Sequence, residues 1–258
     1  MKNWLVLCLI VCIPAALPVD DEPKAQSQAP KNDFDPIDRY VEKRIEGWKV
    51  LVHQVLLTAE HRRLCDQALK LLDDHLYRIT RVVPESALAK LQQIPIWVEL
   101  AHPKHPCMCY HVSADWLRDN SMNPQKAGAV EIANVKNFLK WTHEQPWMVL
   151  HELAHGYHHQ VLGYDHKEIH ACYEQAKASK SYESVLHWDG RKVRAYALTN
   201  DQEYFAELTE AYFGTNDFYP FVRAELKQHD PQMYQVLEKV WGVQSPKEKV
   251  KGSPAKAK

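Results

Sequence analysis

Trp147 to Gly163 reads WMVLHELAHGYHHQVLG. His151 and His155 are four residues apart, so on a helix they sit about 40° apart on one face, one turn along the axis. That spacing lets two imidazoles converge on one ion at roughly 2.0–2.1 Å, the Zn–N distance. Glu152 is too close in sequence to be an easy third ligand. It is placed instead to take a proton from a water that the metal acidifies. Met148, Val149, Leu150, Leu153, Ala154 and Val161 make the stretch apolar, as in a helix buried inside a domain. Pro146 suits a first helical turn and Gly163 a C-terminal stop. Two histidines and a glutamate in such a helix are costly unless they pair or coordinate a metal. An H-E-x-x-H pattern also arises by chance in a chain with 15 histidines, so a third ligand must be found elsewhere.

Outward from this stretch, the chain has 258 residues, 45% of them hydrophobic and 10% aromatic, enough for one sizeable core. A net charge of −1 gives no general attraction to nucleic acid. Residues 1–17 read as a signal peptide: Lys2 is the basic start, Leu5 to Ala16 is uncharged and apolar, and Ala15 and Ala16 are small. The run is too short for a membrane span, and Val11 before Cys12 fits a lipoprotein signal poorly. Residues 18–37, with four prolines among polar residues, read as a disordered linker. Residues 38–243 read as the folded domain, and 244–258 as a disordered Lys-rich tail. The expected location is secreted or otherwise extracytoplasmic.

In an exported chain, Cys65, Cys107, Cys109 and Cys172 are expected to form two disulfides. Cys107 and Cys109 are too close to pair with each other, so each is expected to join Cys65 or Cys172. A competing reading is a second metal site, because His102, His105, Cys107, Cys109 and His111 crowd one stretch. They lack the paired spacing of a zinc finger.

Apolar periodicity predicts helices over Tyr40–Thr58 and Leu64–Ile79, then a short one at Ser86–Leu91. Ile94–Leu100 and Cys109–Val112 read as strands, with a short helix near Ala114–Arg118 between the second of them and Ala127–Ala133. That last stretch reads as a strand and a candidate sheet edge, able to accept an extended peptide. Helices follow near Phe138 and over the opening stretch. Lys167–Ala178 reads as a solvated helix, with His166 and His170 on a polar face. Asp189-Gly190 marks a hairpin between Ser184–Trp188 and Arg191–Leu198. Asn200–Phe213, Phe221–Lys227 and Gln232–Trp241 read as helices.

A catalytic zinc needs a third protein ligand and an open position. The best candidate is Glu203, on a helical face with Glu207 and Glu210. Asn200 three residues before Glu203 also resembles a capping arrangement, so Glu203 alternatively serves the helix start. Taken alone, Tyr196 reads better as a core strand tyrosine.

Tyr196-Ala-Leu-Thr-Asn200-x-x-Glu203-Tyr-Phe-Ala-Glu207, downstream of His151-Glu152-x-x-His155, resembles the catalytic domain of anthrax lethal factor and the secreted Pro-Pro endopeptidases. The resemblance covers about Leu150–Phe213 and implies a gluzincin: a zincin-like single domain of α+β class, mostly helical with a small mixed sheet. It implies one zinc held by His151, His155 and Glu203, with Glu207 supporting the site. It further implies Glu152 as general base and Tyr196 as donor to the oxyanion. The cysteines and the Asp189-Gly190 hairpin depart from that pattern, so substrate preference does not carry over. The expected function is a zinc metalloendopeptidase acting on a peptide or protein. The alternative is a non-catalytic zinc protein that binds peptides along an exposed sheet edge.

Overall fold

The computed structural model describes residues 34–102 and 105–243. The expected signal peptide, the linker up to residue 33 and the tail at 244–258 lie outside the described residues.

Tyr40–Ile45 (β1) and Trp48–His53 (β2) form an antiparallel hairpin, where apolar spacing had suggested a helix. Glu46 and Gly47 turn the chain with φ of 48° and 92°, the left-handed pair that a tight two-residue hairpin needs. Val50 and Val52 then face the main core while Leu51 faces the other side of the sheet. A period of two therefore wins over the apparent helical spacing. The predicted helix that follows is present as Arg62–Val82 (α1), and the short one as Glu85–Leu91 (α2).

Ile96–Val98 (β3) runs parallel to β2. Met108–Tyr110 (β4) and Val130–Ile132 (β5) pair antiparallel, and β5 is also parallel to β3. The sheet order is β1-β2-β3-β5-β4. The strand at Ala127–Ala133 is therefore internal rather than an edge. The edge beside it is β4, the strand before it in the chain, joined to it through a helix. Pairing over that distance leaves no local signature.

Ala114–Asp119 (α3) links β4 to β5. One face of the sheet packs its valines and isoleucines against α1, α2, Val135–Trp141 (α4) and Met148–Tyr157 (α5). The chain continues through Lys167–Ser179 (α6), a small hairpin of Val185–Leu186 (β6) and Lys192–Val193 (β7), and Asp201–Phe213 (α7). Arg223–His229 (α8) and Pro231–Val240 (α9) close the fold. The result is a mixed α/β architecture, mostly helical with a small mixed sheet. Tyr157 of α5 stacks on Trp241 at 4.2 Å between ring centres, and Phe205 of α7 lies against the same indole. Each such ring contributes about 1.5–3 kcal/mol on burial, and together they fix α5 against α7.

The two expected disulfides are not formed. All four cysteines are free thiols, and they pack in different surroundings. Cys65 and Cys172 are buried on α1 and α6, Cys107 donates to Met148 Sδ at 3.6 Å, and Cys109 lies beside His111. Among the described residues, no helix is long and apolar enough to cross a membrane.

Candidate metal centre

α5 carries His151, Glu152 and His155, and continues through a π-helical turn, His158–Leu162, to Gly163 at φ 83°. Gly156 lets α5 lie close to the sheet. A Cβ there would stand 2.6 Å from Ile94 Cδ1 and 3.1 Å from the Tyr110 ring. On the opposite side α5 packs along α7, which brings Glu203 to the two histidines.

His151 Nε2, His155 Nε2 and Glu203 Oε2 form a near-equilateral triangle. The separations are 3.1 Å between the histidines, and 3.1 and 3.2 Å from them to Glu203. His151 Nδ1 lies 2.7 Å from Glu210 Oε1, an acceptor that favours a proton on Nδ1 and so directs the Nε2 edge to the triangle. Three lone-pair atoms converging on one point repel unless a proton or cation lies between them. Without a metal, the titration directions favour a proton among these groups. Burial pulls the His151 imidazolium down, but the Glu203 and Glu210 carboxylates hold it well above the usual histidine range. Burial also opposes ionisation of Glu203, and the two imidazoles outweigh it and hold that carboxyl low. Two imidazoles and one carboxylate suit a borderline divalent ion, so the residues present fit a metal here.

Asn200 caps α7 by accepting from Glu203 N at 2.7 Å. The Glu203 side chain does not return to the cap; it reaches the histidines instead. Asn200 thus caps α7 through the Glu203 backbone, while the Glu203 carboxylate stands beside His151 and His155.

Glu152 and Tyr196 line the same cleft, whose volume is about 780 Å³. Tyr196 lies in a 3₁₀ turn, Tyr196–Leu198, not in a strand. At 47% exposure it is no core tyrosine, and its hydroxyl lies 3.4 Å from Glu203 Oε1. Partial burial, then the Glu203 charge, push its phenol up to about 12, so it is a neutral donor near neutral pH. Met108, Cys109 and Tyr110 of the edge strand β4 form the facing wall.

Glu207, expected to support His151, is fully buried but 3.9 Å from His151 Nδ1. Glu210 makes the short bond. It stands seven residues beyond Glu203 on the same helical face, a signal that becomes legible only once α5 is known to lie alongside. Asp217 is a further cleft residue that sequence reasoning missed. Among the described residues, Glu207, Glu210 and Asp217 ion-pair only with His151 and His187. Burial, then the neighbouring Asp217, pushes Glu210 up to about 7 despite its His151 hydrogen bond. Burial, with Asp217 and Glu210, also raises Glu207 well above the carboxylate range.

The other histidines stay outside the triangle. His158 is buried between Tyr164 and Phe205, His159 Nδ1 meets the Tyr110 hydroxyl at 2.8 Å, and His170 is a surface partner of Asp201. His166 caps α6.

The family model for anthrax toxin lethal factor, N- and C-terminal domain, matches residues 81–240, well over half of the chain. The chain belongs to the anthrax lethal factor family. Its matched region begins at the end of α1 and takes in α5, α7 and the cleft between them, while the β1–β2 hairpin lies outside it. No curated protein and no solved structure matches the chain.

Proposed function

We propose that this protein is an exported zinc metalloendopeptidase. The observation that carries the reading is the triangle of His151 Nε2, His155 Nε2 and Glu203 Oε2, in a cleft that also presents Glu152 and Tyr196. Membership of the lethal factor family supports it. His151, His155 and Glu203 would hold one zinc in this cleft. A zinc there supplies a Lewis acid that acidifies water and polarises a peptide carbonyl. Three protein ligands leave a position open, as a catalytic rather than a structural site requires.

Glu152 takes the proton of the attacking water and returns it to the leaving amine. Tyr196 donates its hydroxyl hydrogen to the oxygen on which negative charge develops. Glu210, through His151 Nδ1, holds the imidazole in the tautomer that leaves Nε2 free. The substrate class is an extended peptide or protein segment. A purely peptide-binding role along the strand at Ala127–Ala133 loses its premise, because β5 is paired on both sides.

The test is peptide-library cleavage by the full chain with and without a chelator, alongside Glu152→Gln. Chelator-sensitive hydrolysis is expected. The Gln variant should keep its metal and lose about 10²–10⁴-fold in turnover. Cleavage unaffected by either treatment would end the proposal, as would a metal-loaded chain that cleaves nothing in the library.

A further inference from the structure

Behind the edge strand, on the sheet face away from α5, a second set of donors converges. Cys109 and Glu131 are direct cross-strand partners in the β4–β5 pair, so their side chains share one face. Glu131 is in turn paired with Trp97, which places that face opposite the main core. His111 lies two residues beyond Cys109. Its Nε2 is 3.5 Å from Cys109 Sγ and 2.6 Å from Glu131 Oε2. His111 and Glu131 are buried, and Cys109 is half-buried. Sulfur, imidazole nitrogen and carboxylate oxygen thus gather around one point, much as the three donors of the cleft do.

A fourth donor stands nearby. The His105 ring centre is 5.7 Å from that of His111. Two imidazoles bound to one tetrahedral ion, with Zn–N near 2.0–2.1 Å, place their ring centres roughly 5 Å apart. The His151–His155 pair, at 4.8 Å, provides the comparison within this chain. His105 Nε2 faces a soft atom, Met122 Sδ, at 3.2 Å.

The charges also call for a cation. Lys126 Nζ contacts Glu131 Oε1 at 2.5 Å and Glu99 Oε1 at 2.6 Å. One ammonium thus faces two carboxylates and leaves Glu131 Oε2 turned to His111. A divalent ion that displaces the thiol proton to solvent makes the sum neutral, with three positive charges against Glu99, Glu131 and the Cys109 thiolate.

We propose that Cys109, His111 and Glu131, completed by His105, form a second metal site that binds zinc in a closed, structural manner. Thiolate and imidazole donors select zinc over the hard cations that prefer all-oxygen sites. The ion would tie His105 to the edge strand β4, which walls the cleft through Met108, Cys109 and Tyr110. Cys109 also borders the cleft, but the site shares no ligand with the triangle and would stand if the proposed peptidase activity failed.

The experiment uses the full chain carrying His151→Ala and His155→Ala, loaded with zinc or with cobalt(II) alone. The cleft triangle has no sulfur donor, so a thiolate-to-cobalt charge-transfer band reports a cysteine site. The expected result is one zinc retained per chain and a charge-transfer band in the cobalt form, with both lost on adding Cys109→Ser. His111→Ala should lower zinc affinity by at least tenfold. The same band, read in the otherwise unsubstituted chain, covers the case in which a variant does not fold. Absence of the band in the cobalt-loaded chain overturns the proposal. So does a band or a zinc stoichiometry that survives Cys109→Ser in folded protein.

Discussion

Glu131 and Glu210 are both fully buried glutamates, and each is bonded to an imidazole, at 2.6 Å to His111 and 2.7 Å to His151. Their acidities nevertheless move in opposite directions. Burial opposes ionisation at both. At Glu131 the His111 hydrogen bond and the Lys126 ammonium overcome it and hold the carboxyl down at about 2. At Glu210 only His151 resists, Asp217 and Glu152 add to the burden, and the carboxyl rises to about 7. The difference lies in where the positive charge comes from. The β4–β5 cluster carries an ammonium of its own. The α5–α7 cluster collects Glu203, Glu207, Glu210 and Asp217, which among the described residues ion-pair only with histidines.

The sharpest way to break this comparison is to remove the resident cation. Lys126→Met leaves Glu99 and Glu131 buried without their ammonium. Stability should fall by about 3–5 kcal/mol, the usual cost of breaking a buried pair from one side. Chemical denaturation reads this directly. A loss under about 1 kcal/mol would mean that Lys126 is not what holds Glu131 ionised.

Next in size is Tyr196→Phe, which touches the cleft without touching its charges. The ring is largely outside the core, so melting temperature should hardly move, and metal should stay bound. Turnover should fall about 10²–10³-fold, or about 2.7–4 kcal/mol, the cost of losing one oxyanion donor. KM should show no matching rise, because the lost hydrogen bond belongs to the transition state. Near-normal kcat in a metal-loaded variant would remove Tyr196 from the mechanism.

Glu210→Gln sharpens the contrast by reversing a sign. At Lys126 the substitution uncovers a buried charge; at Glu210 it removes one of several crowded acids. Metal affinity should drop about 10–100-fold, as when an outer partner of a ligating histidine is lost. The metal-free protein should melt at the same temperature or higher. Chelator competition and melts in chelator measure the two effects separately. A metal-free variant that melts well below the parent would make Glu210 a packing residue first.

These contrasts were unevenly legible in the sequence. The α5 motif, its Gly163 stop and the Asn200-capped α7 follow from local rules, and the structure brings His151, His155 and Glu203 together as the motif pair suggested. The β1–β2 hairpin was hidden because Val41, Ile45, Trp48 and Val52 also satisfy a helical spacing. The deciding signal was Glu46-Gly47, a turn whose left-handed pair is carried by only one glycine. The position of β5 inside the sheet was not legible, since whether it pairs with the preceding strand β4 leaves no mark in its own sequence. Glu210 outranking Glu207 was not legible either, because it depends on the roll of α7 against α5. The four cysteines misled through compartment logic: an exported chain favours disulfides, but a buried thiol packs as a small apolar side chain wherever the core has room for one.

The smallest expected effect tests whether the two clusters are mechanically joined. Gly156 is where α5 meets the sheet, next to Ile94 and to Tyr110 on β4. An added methyl must displace one of them. Ile94 is fully packed, but its Cδ1 is a side-chain tip and can turn. The Tyr110 ring is held at its hydroxyl by His159 and Gln160. Gly156→Ala should therefore cost about 1 kcal/mol, near the low end for overpacking a core. In a domain of this size that lowers the melting temperature by about 2–4 °C. If the methyl pushes on Tyr110, β4 moves as a unit, and metal affinity should change on both of its faces, at the cleft and at Cys109. If Ile94 yields instead, stability drops and neither affinity moves. Measuring both affinities in the one variant decides whether β4 transmits between the two clusters or merely separates them.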